Sequence, residues 1–257
     1  MSATFAGRTA LVSGAGNGLG RAMARRLYES GARLILVGRD LTKLEMTRQA
    51  IEAPADRCRI ETCDVADPGS VAMLAETLHD EQVSILVNNA GVPGPVADLV
   101  DIDPDDWDAV FATNVRGVFL MCQAFLPPMI AARAGDVVNV ASVSGKRPLA
   151  RRTPYCASKM AVIGLTTTLA AEAGPFGVRV NTLSPGPVNG PRMERNFRLE
   201  AERTGVSREE AEQAFVSRSA LGRMVEEDEV GQALVAMLQM PGLTAADIDL
   251  SAGMVAR

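Results

Sequence analysis

Tyr155 and Lys159 set a phenol and an ammonium four residues apart, the separation that puts two side chains on one face of a helix. Thr153 suits an N-cap and Pro154 a first helical position, so the sequence predicts Tyr155 in a first turn with Lys159 one turn on. Such a pair can run acid–base chemistry. A tyrosine titrates at about 10 in water, and a cation within about 4 to 6 Å, together with a helix N-terminus, favours the phenolate. A Tyr and a Lys at this spacing are also an ordinary exposed pair, so the weight comes from what precedes them. Ser142 ends the apolar run 136–141 shortly before.

A second chemical signal opens the chain. Arg8 to Val12 reads as a short strand, followed by Ser13-Gly14-Ala15-Gly16-Asn17-Gly18-Leu19-Gly20 and a helix through Ser30 with Leu19, Met23 and Leu27 at helical spacing. A helix N-terminus without side chains in the way lets backbone N–H groups approach a pyrophosphate. A tight strand-to-helix turn with no ligand is the other reading. Gly14, Gly18 and Gly20 give G-x-x-x-G-x-G, which departs from the G-x-G-x-x-G dinucleotide fingerprint.

The elements that must position these residues are strands alternating with helices. Strand-like runs at 34–37, 58–63, 84–87, 136–141, 178–183 and 247–250 join the first to make seven. Apolar strands in such alternation imply a parallel sheet buried on both faces, doubly wound into three α/β/α layers by right-handed crossovers. One domain over 1–257 is expected at this length. Between about 187 and 224 a polar, Arg/Glu-rich insertion interrupts the rhythm, with two short helices separated by Thr204-Gly205-Val206-Ser207. It follows a strand's C-terminal end, where such sheets bind ligands. A small helical substrate lid is expected there, with a plain surface insertion as the alternative.

Composition sets bounds. Apolar residues make up 47% and charged residues 22%, ordinary for a soluble globular protein, and no run reads as an uninterrupted transmembrane span. Met1 to Phe5 lacks the charged start and apolar stretch of a signal peptide, so a cytoplasmic location and no membrane partner are expected. A net charge of −5 with no basic face argues against nucleic acid. Cys58 and Cys63, in one predicted strand at an odd separation, should face opposite ways. Cys122 and Cys156 have no Cys or His at ligand spacing, and all four read as reduced packing residues. His79, the only histidine, sits near a predicted helix end, so the chemistry is not histidine chemistry. The acidic run from Asp101 to Asp108 reads as a helix start, with Asp103 as cap and Pro104 first, rather than as a metal cluster. No metal site is expected.

The chain resembles the short-chain dehydrogenase/reductase family, in its branch of about 250 residues, over essentially all of its 257 residues. The motifs that carry the likeness are Ser13-Gly14-x-x-x-Gly18-x-Gly20 (Ser where Thr is usual), Asp64-Val65, Asn88-Asn89-Ala90-Gly91, Asn114, Ser142, Tyr155-x-x-x-Lys159 and Pro185-Gly186, in the family's order. The resemblance implies a Rossmann-type domain, a nicotinamide cofactor and hydride transfer to or from the carbon of a small-molecule secondary alcohol or ketone. Tyr155 is then the proton carrier, Ser142 a hydrogen-bond partner of the reacting oxygen, and Lys159 a group that lowers the tyrosine pKa and binds the nicotinamide ribose. Asn114, expected in mid-helix where Asn has poor propensity, matches a residue that holds a proton-relaying water.

The same resemblance carries the cofactor contacts. Ser13, Gly14, Asn17, Gly18, Leu19 and Gly20 form the pyrophosphate turn, Asp64 holds the adenine amino group with Val65 beside the ring, and Asn89, Ala90 and Gly91 lie beneath the adenosine. Pro185 and Gly186 cap the sixth strand beside the nicotinamide. A Thr often follows four residues after that glycine; here the position is Gly190, and Val188 can serve through its backbone. An acid about 20 residues past the glycine turn selects NAD, whereas an Arg accommodates the 2′-phosphate of NADP. Gly38 holds the acidic position and Arg39 follows, which favours NADP over NAD, although Asp40 could swing in and Asn17 stands where a second basic residue is frequent.

Two rivals accompany this reading. One is a sugar-nucleotide epimerase or dehydratase of the longer branch, and the other a non-catalytic, cofactor-binding redox sensor. Helices around 107–130 and 155–174 are apolar over more than one face, which by resemblance implies a homotetramer or homodimer. Lys146 to Arg152 and the lid start at Arg192 should border the substrate mouth. Arg147 and Arg192, followed by Arg152, are candidate clamps for an anionic substrate. The alternative is that the lid arginines pair with Glu194, Glu200 and Glu202, and that Arg151 and Arg152 face solvent or a neighbouring subunit.

Overall fold

Seven strands, all parallel, alternate with nine helices among the residues that the structure, a computed structural model, describes: 4–255, apart from the side chain of Arg192. The strands are β1 (Thr9–Ser13), β2 (Arg33–Gly38), β3 (Cys58–Thr62), β4 (Val83–Asn88), β5 (Gly135–Val140), β6 (Val178–Pro185) and β7 (Asp247–Leu250). The helices are α1 (Gly18–Glu29), α2 (Leu41–Ala50), α3 (Pro68–Thr77), α4 (Pro104–Phe111), α5 (Gly117–Ala132), α6 (Thr153–Ala173), α7 (Pro191–Thr204), α8 (Arg208–Val216) and α9 (Glu227–Leu238). The sheet order is β3-β2-β1-β4-β5-β6-β7. The winding therefore reverses between β1 and β4, which opens a crevice at the strands' C-terminal ends.

Strand alternation divides the core into two. Ala10 and Val12 of β1 join Met23 and Leu27 of α1 and Leu234 of α9 on one face. Leu11 points the other way, toward Leu74 of α3, Phe125 of α5 and Val162 of α6. Cys58 and Cys63 fall on opposite faces in the same manner, as their odd separation requires. Burial pushes the Cys58 thiol up to about 11 and Cys122 up to about 12, so both are protonated packing groups at neutral pH.

The helix termini follow local chemistry. Asp103 Oδ1 accepts from the Asp105 N–H at 2.8 Å with Pro104 in the first turn, and no group of acids or thiols suited to a metal occurs among the described residues. The insertion forms α7 and α8 as expected. Gly205 ends α7 at φ 72, the left-handed region glycine tolerates, and Ser207 with Glu210 makes a capping box for α8.

Three expectations need correction. Thr153 is not the cap of α6: Arg152 takes that position without a side-chain cap bond, and Thr153 with Pro154 begins the helix. A π turn at Ala112–Arg116 joins α4 to α5, so that Pro104–Ala132 runs as one 29-residue helix, apolar and long enough to cross a membrane by length and composition. Its buried Val110, Met121, Phe125 and Met129 make it a core helix. Lys146, expected at the substrate mouth, instead pairs with Asp247 at 2.7 Å and with Asp249, tying the segment after β5 to β7.

Candidate active site

One large crevice, about 1870 Å³, runs along the C-terminal ends of β1 to β6, reaches Met254 beyond β7 and continues under α7 and α8. The glycine turn after β1 forms one end. Gly14 and Gly20 are packing requirements: a methyl on Gly20 would stand 2.2 Å from the Gly14 carbonyl oxygen, and one on Gly14 would stand 2.9 Å from the Ala90 Cα. Gly18, at φ 50, has room for a methyl, which would meet only Glu227 Oε1, at 3.6 Å. Ser13 Oγ accepts from the N–H groups of Asn89 and Ala90 at 3.0 and 3.1 Å, and Asn89 Nδ2 donates to the Ser13 and Gly14 carbonyls. Thus Ser13 and Asn89 brace the turn against β4, and their side chains are occupied in that bracing.

Asn17 stands at the N-cap of α1 but makes no side-chain cap bond, and the first turn of α1 holds no acid. The N–H groups of that turn therefore open onto the crevice with Leu19 beside them. This uncapped, side-chain-free helix start fits a dinucleotide pyrophosphate. Gly38, Arg39, Asp64 and Val65 line the same end. Asp64 Oδ1 accepts from the Ala66 N–H at 3.0 Å, which orients the carboxylate at the β3 exit. Asp40 caps α2 through the Lys43 N–H at 3.2 Å and pairs with Lys43 Nζ at the same distance, whereas the exposed Arg39 side chain has no hydrogen bond or ion pair among the described residues.

The centre of the crevice collects the proposed proton machinery. Ser142 follows β5, nearly buried, donating to the Pro185 carbonyl at 3.4 Å and accepting from the Ser144 N–H at 3.1 Å. The 3-10 turn Val143–Gly145 docks on α6 so closely that a methyl on Gly145 would lie 2.9 Å from the Lys159 carbonyl carbon. That contact brings Ser142 alongside the first turns of α6. Tyr155 is half-buried there, and Lys159 Nζ, itself 5% exposed by residue, donates to the Val140 carbonyl at 2.8 Å and lies 5.8 Å from the Tyr155 ring centroid.

Asn114 is fully buried in the π turn, where its amide donates to the Val92 carbonyl at 3.0 Å and to Ser158 Oγ at 3.0 Å while its Oδ1 accepts from the Val92 N–H at 2.8 Å. The π turn is what points this side chain inward, since one extra residue per turn rotates it off the regular helical stripe. Gly91 is wedged against both proton-site partners, its hypothetical methyl lying 3.1 Å from Asn114 Oδ1 and 3.5 Å from Lys159 Nζ. Pro185, Gly186 and Val188 form the opposite wall, with Gly186 N–H donating to the Leu250 carbonyl at 2.7 Å and Val188 bridging to Val225.

The basic candidates fare differently. Arg147 lines the crevice and its guanidinium has no partner among the described residues. Arg152 donates to the Pro93 and Gly94 carbonyls at 3.2 and 3.4 Å and to Asn196 Oδ1 at 3.2 Å, so it ties the loop after β4 to the lid helix α7. Arg192 lies in α7, but its side chain is outside the described residues. Three other lid arginines are paired: Arg208 with Glu194 and Glu212, Arg203 with Glu200, and Arg198 with Glu194. Arg151 reaches Asp98 at 3.7 Å. Ser158, which accepts from the Asn114 amide, and Glu227, which lines the crevice, escape a reading of the sequence. Ser158 is masked inside the Tyr-to-Lys spacing, and Glu227 looks like one more helix-start acid.

A doubly wound parallel sheet whose glycine turn and Ser, Tyr and Lys side chains share one crevice defines a nicotinamide-dependent oxidoreductase. The family model for the short chain dehydrogenase matches residues 8–202, and the chain belongs to the short-chain dehydrogenase/reductase family. The D-threitol dehydrogenase of Mycolicibacterium smegmatis is 40% identical over 70% of this chain and 69% of its own length. Among solved structures, a variant of the actinorhodin polyketide ketoreductase with NADPH superposes with a TM-score of 0.91 at 30% identity, covering 99% of both chains. The NAD+-bound xylitol dehydrogenase gives a TM-score of 0.91 at 29% identity, over 97% of this chain and 99% of that one. This chain is accordingly an oxidoreductase acting on alcohol or ketone groups.

Proposed function

We propose that this enzyme interconverts a bulky ketone and its secondary alcohol, with NADPH as the preferred cofactor. The nicotinamide supplies or accepts the hydride. The chain's own residues manage the oxygen and its proton: Tyr155 Oη gives or takes the proton, and Ser142 Oγ hydrogen-bonds the oxygen as its charge changes. Lys159 holds a positive charge beside the phenol, and Asn114 fixes the loop at Val92 that borders both. The single observation carrying this assignment is the docking of the Gly145 turn on α6, which places Ser142, Tyr155 and Lys159 around one space adjoining the glycine turn.

The substrate end supports a large, apolar partner. Its wall includes Leu149, Met193, Phe197, Leu199, Phe215 and Met254, and Phe197 packs edge-on to Phe215 at 5.6 Å between ring centroids. A polyol would leave these groups facing hydroxyls, whereas a ketone flanked by hydrocarbon gains from them. Arg147, projecting into the same space without a partner, favours an anionic group on that substrate. Arg152 is reassigned from clamp to strut. For the cofactor, engagement of Asp40 as a helix cap and the free guanidinium of Arg39 favour a 2′-phosphate over a 2′-hydroxyl.

Coupled assays at the nicotinamide absorbance with matched neutral and anionic ketones, and with both cofactors, test the reading. Higher kcat/KM for bulky anionic ketones, with the advantage reduced in Arg147→Ala, is expected. Equal or better turnover of the neutral partner, with the ratio unmoved in that variant, removes the anionic component. Best turnover of small polyols removes the apolar one.

A further inference from the structure

Four consecutive acids open α9, and three of them are engaged. Glu226 accepts from Asn189 Nδ2 at 3.2 Å and takes part in the helix's capping box, Asp228 pairs with Arg26, and Glu229 pairs with Arg223 at 2.7 Å. Glu227 has no hydrogen-bond or ion-pair partner among the described residues, and it points into the crevice rather than to solvent. Its Oε1 would lie 3.6 Å from a methyl on Gly18 and 3.3 Å from one on Gly190, so the carboxyl occupies the gap between the glycine turn and the segment after β6. That gap adjoins the uncapped start of α1, where the pyrophosphate fits. An unpaired acid at the place where two phosphate charges must settle is otherwise a defect in the site.

We infer that Glu227 is a cofactor-linked proton site: on dinucleotide binding its carboxylate takes one proton from solvent, and the neutral acid donates a hydrogen bond to a pyrophosphate oxygen. The inference rests on the reading that the crevice holds a nicotinamide dinucleotide, and concerns a residue to which that reading assigns nothing. Balance is simple, since one proton moves from water to a Glu227 oxygen and no other bond changes. The charged groups facing Glu227 are Arg21 of α1, which favours the carboxylate, and Glu226, which opposes it. Arg21 is itself held by the Gly16 carbonyl at 3.0 Å and Thr47 Oγ1 at 3.1 Å, so it is not placed as a dedicated counter-ion. Burial is the larger influence and raises the Glu227 pKa above the ordinary carboxylate value before any ligand arrives. Nearby phosphate charge raises it further. Cofactor affinity is therefore highest below the free-protein pKa, falls as pH climbs toward the pKa of the complex, by up to about tenfold per pH unit, and levels off above it.

Isothermal titration calorimetry of the whole protein with NADH and with NADPH, in buffers of differing ionisation enthalpy, counts the protons taken up. NADH matters because it lacks the 2′-phosphate, which titrates on its own account. The inference expects uptake approaching one proton per site with either cofactor, lost in Glu227→Gln, and an affinity for the Gln variant that no longer falls with pH. Glu227→Ala should also lose the pH dependence but bind more weakly than Gln, because it cannot donate. Binding without uptake, or uptake unchanged in Glu227→Gln, overturns the inference while leaving the cofactor reading intact. Failure of the wild-type protein to bind either cofactor overturns the cofactor reading itself.

Discussion

Lys159 Nζ is tied to the end of β5, 2.8 Å from the Val140 carbonyl oxygen, while standing 5.8 Å from the centre of the Tyr155 ring one helical turn earlier. A flexible side chain is thereby held at fixed height beside the phenol, the arrangement that the proposed acid–base role of Tyr155 needs. Replacing Lys159 with Ala removes both the charge and the tether. Turnover should fall by at least about 10², the scale of a general acid–base contribution, and cofactor affinity should weaken with it. A Lys159→Ala protein with undiminished cofactor affinity, read by nicotinamide fluorescence, would argue that the ammonium serves the phenol alone.

Arg39 is the residue proposed to decide the cofactor preference. Arg39→Ala should weaken NADPH binding by about 1.5–3 kcal/mol, the value of a charge-assisted hydrogen bond, and leave NADH nearly unchanged. Fluorescence titration checks both at once. A wild-type protein that binds NADH more tightly would reverse the preference argued here.

The glycine turn makes a structural prediction. In Gly20→Ala the new methyl meets the Gly14 carbonyl oxygen at 2.2 Å and Asn89 Nδ2 at 2.7 Å, so the turn must shift away from β4. Overpacking of this kind costs about 1–3 kcal/mol, and the displaced helix start should lose at least about tenfold in cofactor affinity. Chemical denaturation and cofactor titration of one sample separate the two effects. Normal cofactor affinity in this variant would place the pyrophosphate elsewhere.

Assembly forms the fourth prediction. Phe119 on α5 and Met160 on α6 remain 47% and 48% exposed, although both belong to helices whose other faces are buried on the sheet. A homodimer or homotetramer with closed symmetry is proposed to cover these faces. Light scattering at micromolar concentration should give a multiple of 27.1 kDa; a single-chain mass at that concentration counts against the assembly.

Much of this was legible beforehand because backbone pattern and turn chemistry act locally. The seven strands, the cap at Asp103 and the lid helices follow from apolar runs and from residues that bond their own neighbours. Non-local pairing was not legible. Lys146 looks like one more member of a basic loop until β7 brings Asp247 and Asp249 beneath it, and Arg152 looks free until α7 folds Asn196 over it. Asn114 was expected in a helix, but the π turn that aims it inward depends on what Val92 and Ser158 offer from other segments. Asn139 likewise gains its place from Asn88 and Thr166 on neighbouring elements, at 2.9 Å each. In each instance the deciding partner is distant in sequence.

The most direct test is the removal of one oxygen atom. Tyr155→Phe keeps the ring and its place on α6 but deletes the hydroxyl proposed to carry the proton. The account predicts that this variant binds nicotinamide cofactor as wild type does and loses at least about 10² in turnover on any ketone the wild type reduces. Retention of more than about a tenth of wild-type turnover, with cofactor bound normally, would contradict the assignment of Tyr155 as the proton carrier.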